Sequence, residues 1–261
     1  MHAKRLVVAV LLLPFFYFSV MGLPEWCFFA LLLIACTLAQ WELYSMYRFT
    51  GLMKNSGILF GVLMLTAAYI SGDPFPPVSM LMVMVIFAIR LFGLRNPSSC
   101  LRDISFTLLS LFYIPGLLAF QVLLRHSGPQ WIIFLYGCVW ISDSAAYYVG
   151  KSIGKRKLYL EISPNKTIAG AVGSLIGGSL SGWMLNMVLV HSMGTGESFV
   201  VGGIIGTVTI IGDLVESMFK RDAGVKDSSG IVPGHGGILD KIDGVLFAGP
   251  VLYLVSEIFR G

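Results

Sequence analysis

The chain has 261 residues, of which 56% are hydrophobic and only 12% charged, and its mean hydropathy of +0.82 lies far outside the range of soluble globular domains. These values describe an integral membrane protein. The net charge of +4 does not point to nucleic acid, because the basic residues sit in short loops between apolar runs and no basic and aromatic platform accompanies them.

Lys4 and Arg5 precede an apolar run to Val20 that has the shape of a secretory leader. No small-residue cleavage site follows it and the rest of the chain is equally apolar, so it reads as an uncleaved first span. With about 20 apolar residues per crossing, the sequence divides into about nine transmembrane helices. They fall near 6–21, 26–46, 56–71, 77–94, 104–124, 130–150, 168–190, 199–219 and 243–259, the third being short. The predicted fold is therefore an all-α polytopic membrane protein. Cys27, Cys36, Cys100 and Cys138 show no ligand spacing and read as buried thiols.

Alternating the loops places sixteen of the eighteen Lys and Arg on the side of the N-terminus, leaving only Arg125 and Arg260 on the other. That asymmetry puts the N-terminus and the charged loops in the cytoplasm and the C-terminus on the opposite side, and an even number of spans would spoil it. A short chain of this kind suits a bacterial inner membrane. Residues 1–129 carry few polar groups and are expected to supply packing and a lipid-facing wall, leaving function to 130–261.

Within that second half, Asp143 lies seven residues before Gly150 in the sixth span and Asp213 six before Phe219 in the eighth. At 1.5 Å per residue both acids sit about 10 Å inside their helices, where a carboxylate needs a partner or a watery cavity. Glu216 follows Asp213 on the same face. For Asp143 an interhelical hydrogen-bond anchor is the plainer alternative. The loop between the sixth and seventh spans supplies five basic residues, most of which orientation and anionic lipid would explain. Lys166 differs: Ser163, Pro164 and Asn165 read as a turn that sets Lys166 and Thr167 at the start of the seventh helix, where anions bind readily. Gly173 and Gly177 have the GxxxG spacing of close helix packing.

The segment from Ser217 to Asp243 is the most charged part of the chain. It carries Lys220, Arg221, Lys226 and Asp227, then His235 among Gly234, Gly236 and Gly237, then Asp240 and Asp243. Glycines here let backbone approach a ligand closely, and carboxylates converging from separate helices make an oxygen site for Mg²⁺. A solvated loop is the bland alternative, and Asp240 and Asp243 would also suit a helix N-terminus. His235 has three open roles: phosphate contact, proton shuttle, or holding the loop.

These residues resemble the phosphatidate cytidylyltransferase family, also called CDP-diacylglycerol synthases. The resemblance is carried by Ser217, Lys220, Arg221, Lys226, Asp227, His235, Gly236, Gly237, Asp240 and Asp243 in order and spacing. Trp140, Asp143, Ala146, Tyr147 and Gly150, and then Ser163, Pro164, Lys166, Thr167 and Gly170, extend it over roughly 130–250. Lys241 stands where Arg is usual, Ala169 where Glu is common, and Val232 where another aliphatic is usual. The resemblance implies transfer of CMP from CTP to phosphatidate at the cytoplasmic side, with membrane lipids around it, Mg²⁺ as cofactor, K⁺ as a second cation, and a homodimer. It implies metal ligation by Asp213 and Asp240, then Asp243 and Asp143. Lys166, Arg221, Lys226 and His235 would serve catalysis, and Ser163, Thr167, Lys220, Asp227, Gly236 and Gly237 would hold nucleotide or phosphate. Two other classes compete: a CTP-dependent lipid kinase, which would release CDP, and a transporter using intramembrane acids as relays.

Overall fold

A computed structural model describes residues 14–231 and 236–258. Apolar runs become helices wherever Gly, Pro or charge bounds them. Helix α1 covers described residues 14–21, followed by α2 (Glu25–Met46) and α3 (Leu52–Ser71). Next come α4 (Val78–Ile89), α5 (Cys100–Leu111) and α6 (Leu117–His126). A π-helical turn at Phe112–Gly116, with Pro115 inside it, joins α5 to α6, because proline offers no N–H to continue an α-helical ladder. The second half holds α7 (Pro129–Ile153), α8 (Ile168–Leu185), α9 (Thr195–Asp222) and α10 (Leu239–Ile258).

Among the described residues, six helical runs are long and apolar enough to cross a membrane: Glu25–Met46, Leu52–Ser71, Cys100–His126, Pro129–Ile153, Ile168–Val190 and Thr195–Asp222, with Val78–Leu94 shorter. The chain is thus a multi-pass all-α membrane protein. The third helix is not short, since it begins at Leu52 and takes Lys54 into its first turn. Cys36 and Cys138 are buried as expected, whereas Cys100 is exposed.

One element differs from the loop expected between the sixth and seventh spans. Strands β1 (Lys157–Tyr159) and β2 (Ser163–Thr167) form an antiparallel hairpin between α7 and α8. Ser163, Pro164 and Asn165, expected as a turn, are strand residues because the position before a proline favours extended backbone. Thr167 keeps that extended geometry as the N-cap of α8, and its hydroxyl accepts from the Gly170 N–H.

Small residues decide how α7 to α10 stack. Gly173 and Gly177 turn toward Val149 and Ala145 of α7, while Gly178 and Gly182 of α8 meet Gly202 and Gly206 of α9 backbone to backbone. On the far side of α9, Gly212 lies against the Asp243 carbonyl and Gly244 against Thr209. This last approach brings Asp213 and Asp243, each the neighbour of one of those glycines, to the same level. A Cβ at Gly212 would stand 2.5 Å from the Asp243 carbonyl oxygen, a backbone atom that cannot turn aside. Gly212→Ala should therefore cost about 1–3 kcal/mol through overpacking, read as a lower thermal unfolding midpoint in detergent. A wild-type midpoint would mean that α9 and α10 are not in contact there.

Candidate active site

Asp213 and Glu216 project from one face of α9, three residues apart, and Asp243 meets them from the first turns of α10. One carboxylate oxygen from each lies within 4.8 Å of the others. Among the described residues this trio is the candidate for a cation site, and its hard oxygen donors suit a divalent ion such as Mg²⁺. Two lysines balance it: Lys166 from β2 lies 2.7 Å from Asp213, and Lys220 pairs with Glu216 one helical turn on. Because α7 and α9 run on to Ile153 and Asp222, Asp143 and Asp213 lie about 15 and 14 Å from their helix ends, deeper than the sequence suggested.

Asp213 also faces a cavity of about 660 Å³ between α7, α9 and the hairpin. Asp143, Lys151, Lys157, Asn165 and Lys166 line it, over a floor that includes Gly150, Gly154 and Gly170. Those glycines let the end of α7 pack closely on Thr167 and the start of α8, since a Cβ at Gly150 or Gly154 would meet the Thr167 hydroxyl and one at Gly170 the Ala146 carbonyl. The hairpin contributes two of the lysines, so the basic wall depends on a strand pair where the sequence predicts a loop.

Asp240 is held differently. Its Oδ1 lies 2.5 Å from Lys220 Nζ, and its Oδ2 accepts from Ser228 N at 3.0 Å, Ser228 Oγ at 2.8 Å and Gly237 N at 2.7 Å. Both oxygens are thus engaged by protein donors. Lys220 bridges Asp240 to Glu216 and, through it, links the glycine segment to the trio. Gly236 takes φ of +82°, in the left-handed region where side chains are strained. Its neighbour Gly237 has no room for a Cβ against Ser228 and Glu42.

The cytidylyltransferase family model matches residues 3–259. The chain belongs to the cytidylyltransferase family. Three phosphatidate cytidylyltransferases are among its curated relatives. The protein of Synechocystis sp. is 31% identical, over 97% of this chain and 96% of its own. That of Bacillus subtilis is 38% identical over 60% of each chain, and that of Brucella suis biovar 1 is 42% identical over 52% of each.

In this cytidylyltransferase the sequence-selected residues separate into groups. Asp143, Lys166 and Thr167 line the cavity with Asp213, and Asp243 joins Asp213 in the trio. Ser163 pairs with Tyr159 in the hairpin. Arg221 ties the end of α9 to that hairpin, donating to Ile162 O at 3.1 Å and to Val225 O at 3.1 Å. Lys226 and Asp227 are exposed. His235 lies outside the described residues.

Two acids gained weight only in three dimensions. Glu216, noted in the sequence as a neighbour of Asp213, is fully buried inside the trio. Glu42 of α2 falls in the half of the sequence that reads as packing. The available signal was an acid in the middle of an apolar run, in Trp41-Glu42-Leu43, which always calls for a partner.

Proposed function

We propose that this chain is a phosphatidate cytidylyltransferase of a bacterial inner membrane, transferring CMP from CTP to phosphatidate and releasing pyrophosphate. The observation that carries the reading is the double position of Asp213, which lines the lysine-walled cavity and belongs to the acidic trio. Phosphates entering that cavity would lie beside oxygen ligands for a cation and beside cationic side chains. The near full-length match to the Synechocystis enzyme supports phosphatidate as the acceptor.

The reaction asks little acid–base work of the protein. A phosphatidate oxygen, already ionised at neutral pH, forms a bond to the α-phosphorus of CTP, and the bond from that phosphorus to the bridging oxygen of pyrophosphate breaks. Catalysis then rests on positioning and charge neutralisation. Lys166, Lys151 and Lys157, which line the cavity, would hold phosphate oxygens, and Asp213, Glu216 and Asp243, whose oxygens converge, would hold Mg²⁺. Bound there, Mg²⁺ would neutralise phosphate charge. Binding phosphate would also release Lys166 from Asp213, freeing a ligand oxygen.

Nine spans, with the N-terminus and the site facing the cytoplasm, fit the placement of sixteen of eighteen Lys and Arg on one side. Phosphatidate would then keep its acyl chains in the bilayer while CTP arrives from water. Purified protein should release pyrophosphate from CTP only when phosphatidate and Mg²⁺ are both present. Release of CDP, as from a kinase, or no pyrophosphate at all, as from a transporter, would overturn the assignment.

A further inference from the structure

Glu42 is fully buried and lies on α2, far in sequence from everything it touches. Its carboxylate accepts four hydrogen bonds: from Ser229 Oγ at 2.6 Å, Leu239 N at 2.8 Å, Ile238 N at 2.9 Å and Ser228 Oγ at 3.1 Å. Two of the donors are backbone N–H groups at the N-terminus of α10, which the helix itself cannot satisfy and which favour an anion. The other two are consecutive hydroxyls on the far side of the segment that leads into α10. Ser228 Oγ also lies 2.8 Å from Asp240 Oδ2, so its one proton is shared between two carboxylates. Both Glu42 oxygens approach the Gly237 Cα within what would be Cβ contact.

We propose that Glu42 is a positioning residue for the reaction: a carboxylate from the N-terminal half that ties Ser228 and Ser229 to the start of α10 and so sets the register of Asp240 and Lys220 against the acidic trio. The chain of contact is short. Glu42 fixes Ser228 and the start of α10, these fix Asp240, Asp240 holds Lys220 at 2.5 Å, and Lys220 pairs with Glu216 of the trio. Glu42 touches no group of the cavity, so its effect must pass through that relay. A buried carboxylate satisfied by four donors is stable in place, whereas an amide of the same shape would turn its NH₂ toward the N–H of Ile238 or of Leu239 and leave that group unpaired.

The inference rests on the reading of the trio as the cation site, and it is tested by a measurement that does not need activity. Hydrogen–deuterium exchange of the detergent-purified protein should be compared for wild type, Glu42→Gln and Ser229→Ala. We expect peptides covering 226–242 to exchange about tenfold faster in Glu42→Gln and to move in the same direction, by less, in Ser229→Ala. Peptides from α3, α7 and α8 should remain as in wild type. Half-saturation of turnover should need several-fold more Mg²⁺ in Glu42→Gln, a shift that mere loss of folded protein would not produce. Unchanged exchange in 226–242, or equal acceleration across all helices in both variants, would overturn the proposal. Absence of cytidylyltransfer in wild type would instead sink the function reading and leave the exchange result standing.

Discussion

Asp213→Asn is expected to reduce turnover by at least about 100-fold, the scale of losing a principal charge-stabilising group, while leaving the protein folded. The reason is its double position: it is the one member of the trio that also lines the cavity. The amide keeps the volume and one acceptor but loses the charge that would hold both a cation and Lys166. Its side chain is 39% exposed and its partner Lys166 faces the cavity, so water can replace the lost contact and the unfolding midpoint should hardly move. Asp240→Asn gives the contrast. There the amide must face either Lys220 or the three donors at Oδ2, and one set goes unpaired. A lowered midpoint in Asp240→Asn but not in Asp213→Asn, measured beside pyrophosphate release, would separate the two roles. Near wild-type turnover in folded Asp213→Asn would remove the trio from the mechanism.

Lys220→Met should be the most damaging single change to stability. The ammonium is 11% exposed and stands between Glu216 at 0% and Asp240 at 10%. Methionine fills the same space, but Glu216 is then left buried without its cation and Asp240 Oδ1 without its donor, although Asp240 Oδ2 keeps its three. Breaking a buried pair in this way costs about 3–5 kcal/mol, seen as loss of folded yield or a large fall in the unfolding midpoint. Adding Glu216→Gln to Lys220→Met should restore part of the loss, with a coupling of about 1–3 kcal/mol, because the second change removes the orphaned charge. If the double variant were as unstable as the sum of the singles, the bridge would not be the source of the stability.

Much of the helical framework was legible because membrane spans are local: an apolar run of sufficient length must satisfy its own backbone hydrogen bonds and becomes a helix. Asp143 and Asp213 stood out for a related reason, since each interrupts such a run, while Asp243 stood out as the end of the charged glycine segment. The hairpin was harder to see. Lys157–Tyr159 and Ser163–Thr167 are short and polar, without the alternation that marks a half-buried strand. Helix ends also ran past the expected loops, so Lys220 and Arg221, read as loop residues, belong to α9.

Sequence by itself determined that this is a multi-pass helical membrane protein, and its motif carried the family and the set of charged residues from which a site would be drawn. Only the tertiary structure decided how that set divides. Gly212 and Gly244 let α9 and α10 touch, and that contact groups Asp213 and Asp243 with Glu216. The same packing gives Asp240 to Lys220 and the glycine segment, and it brings Glu42 from the first half to the start of α10. Acids in a sequence are alike in charge. What separates a cation ligand from a structural anchor is which donors surround each oxygen, and those donors come from residues up to 197 positions away.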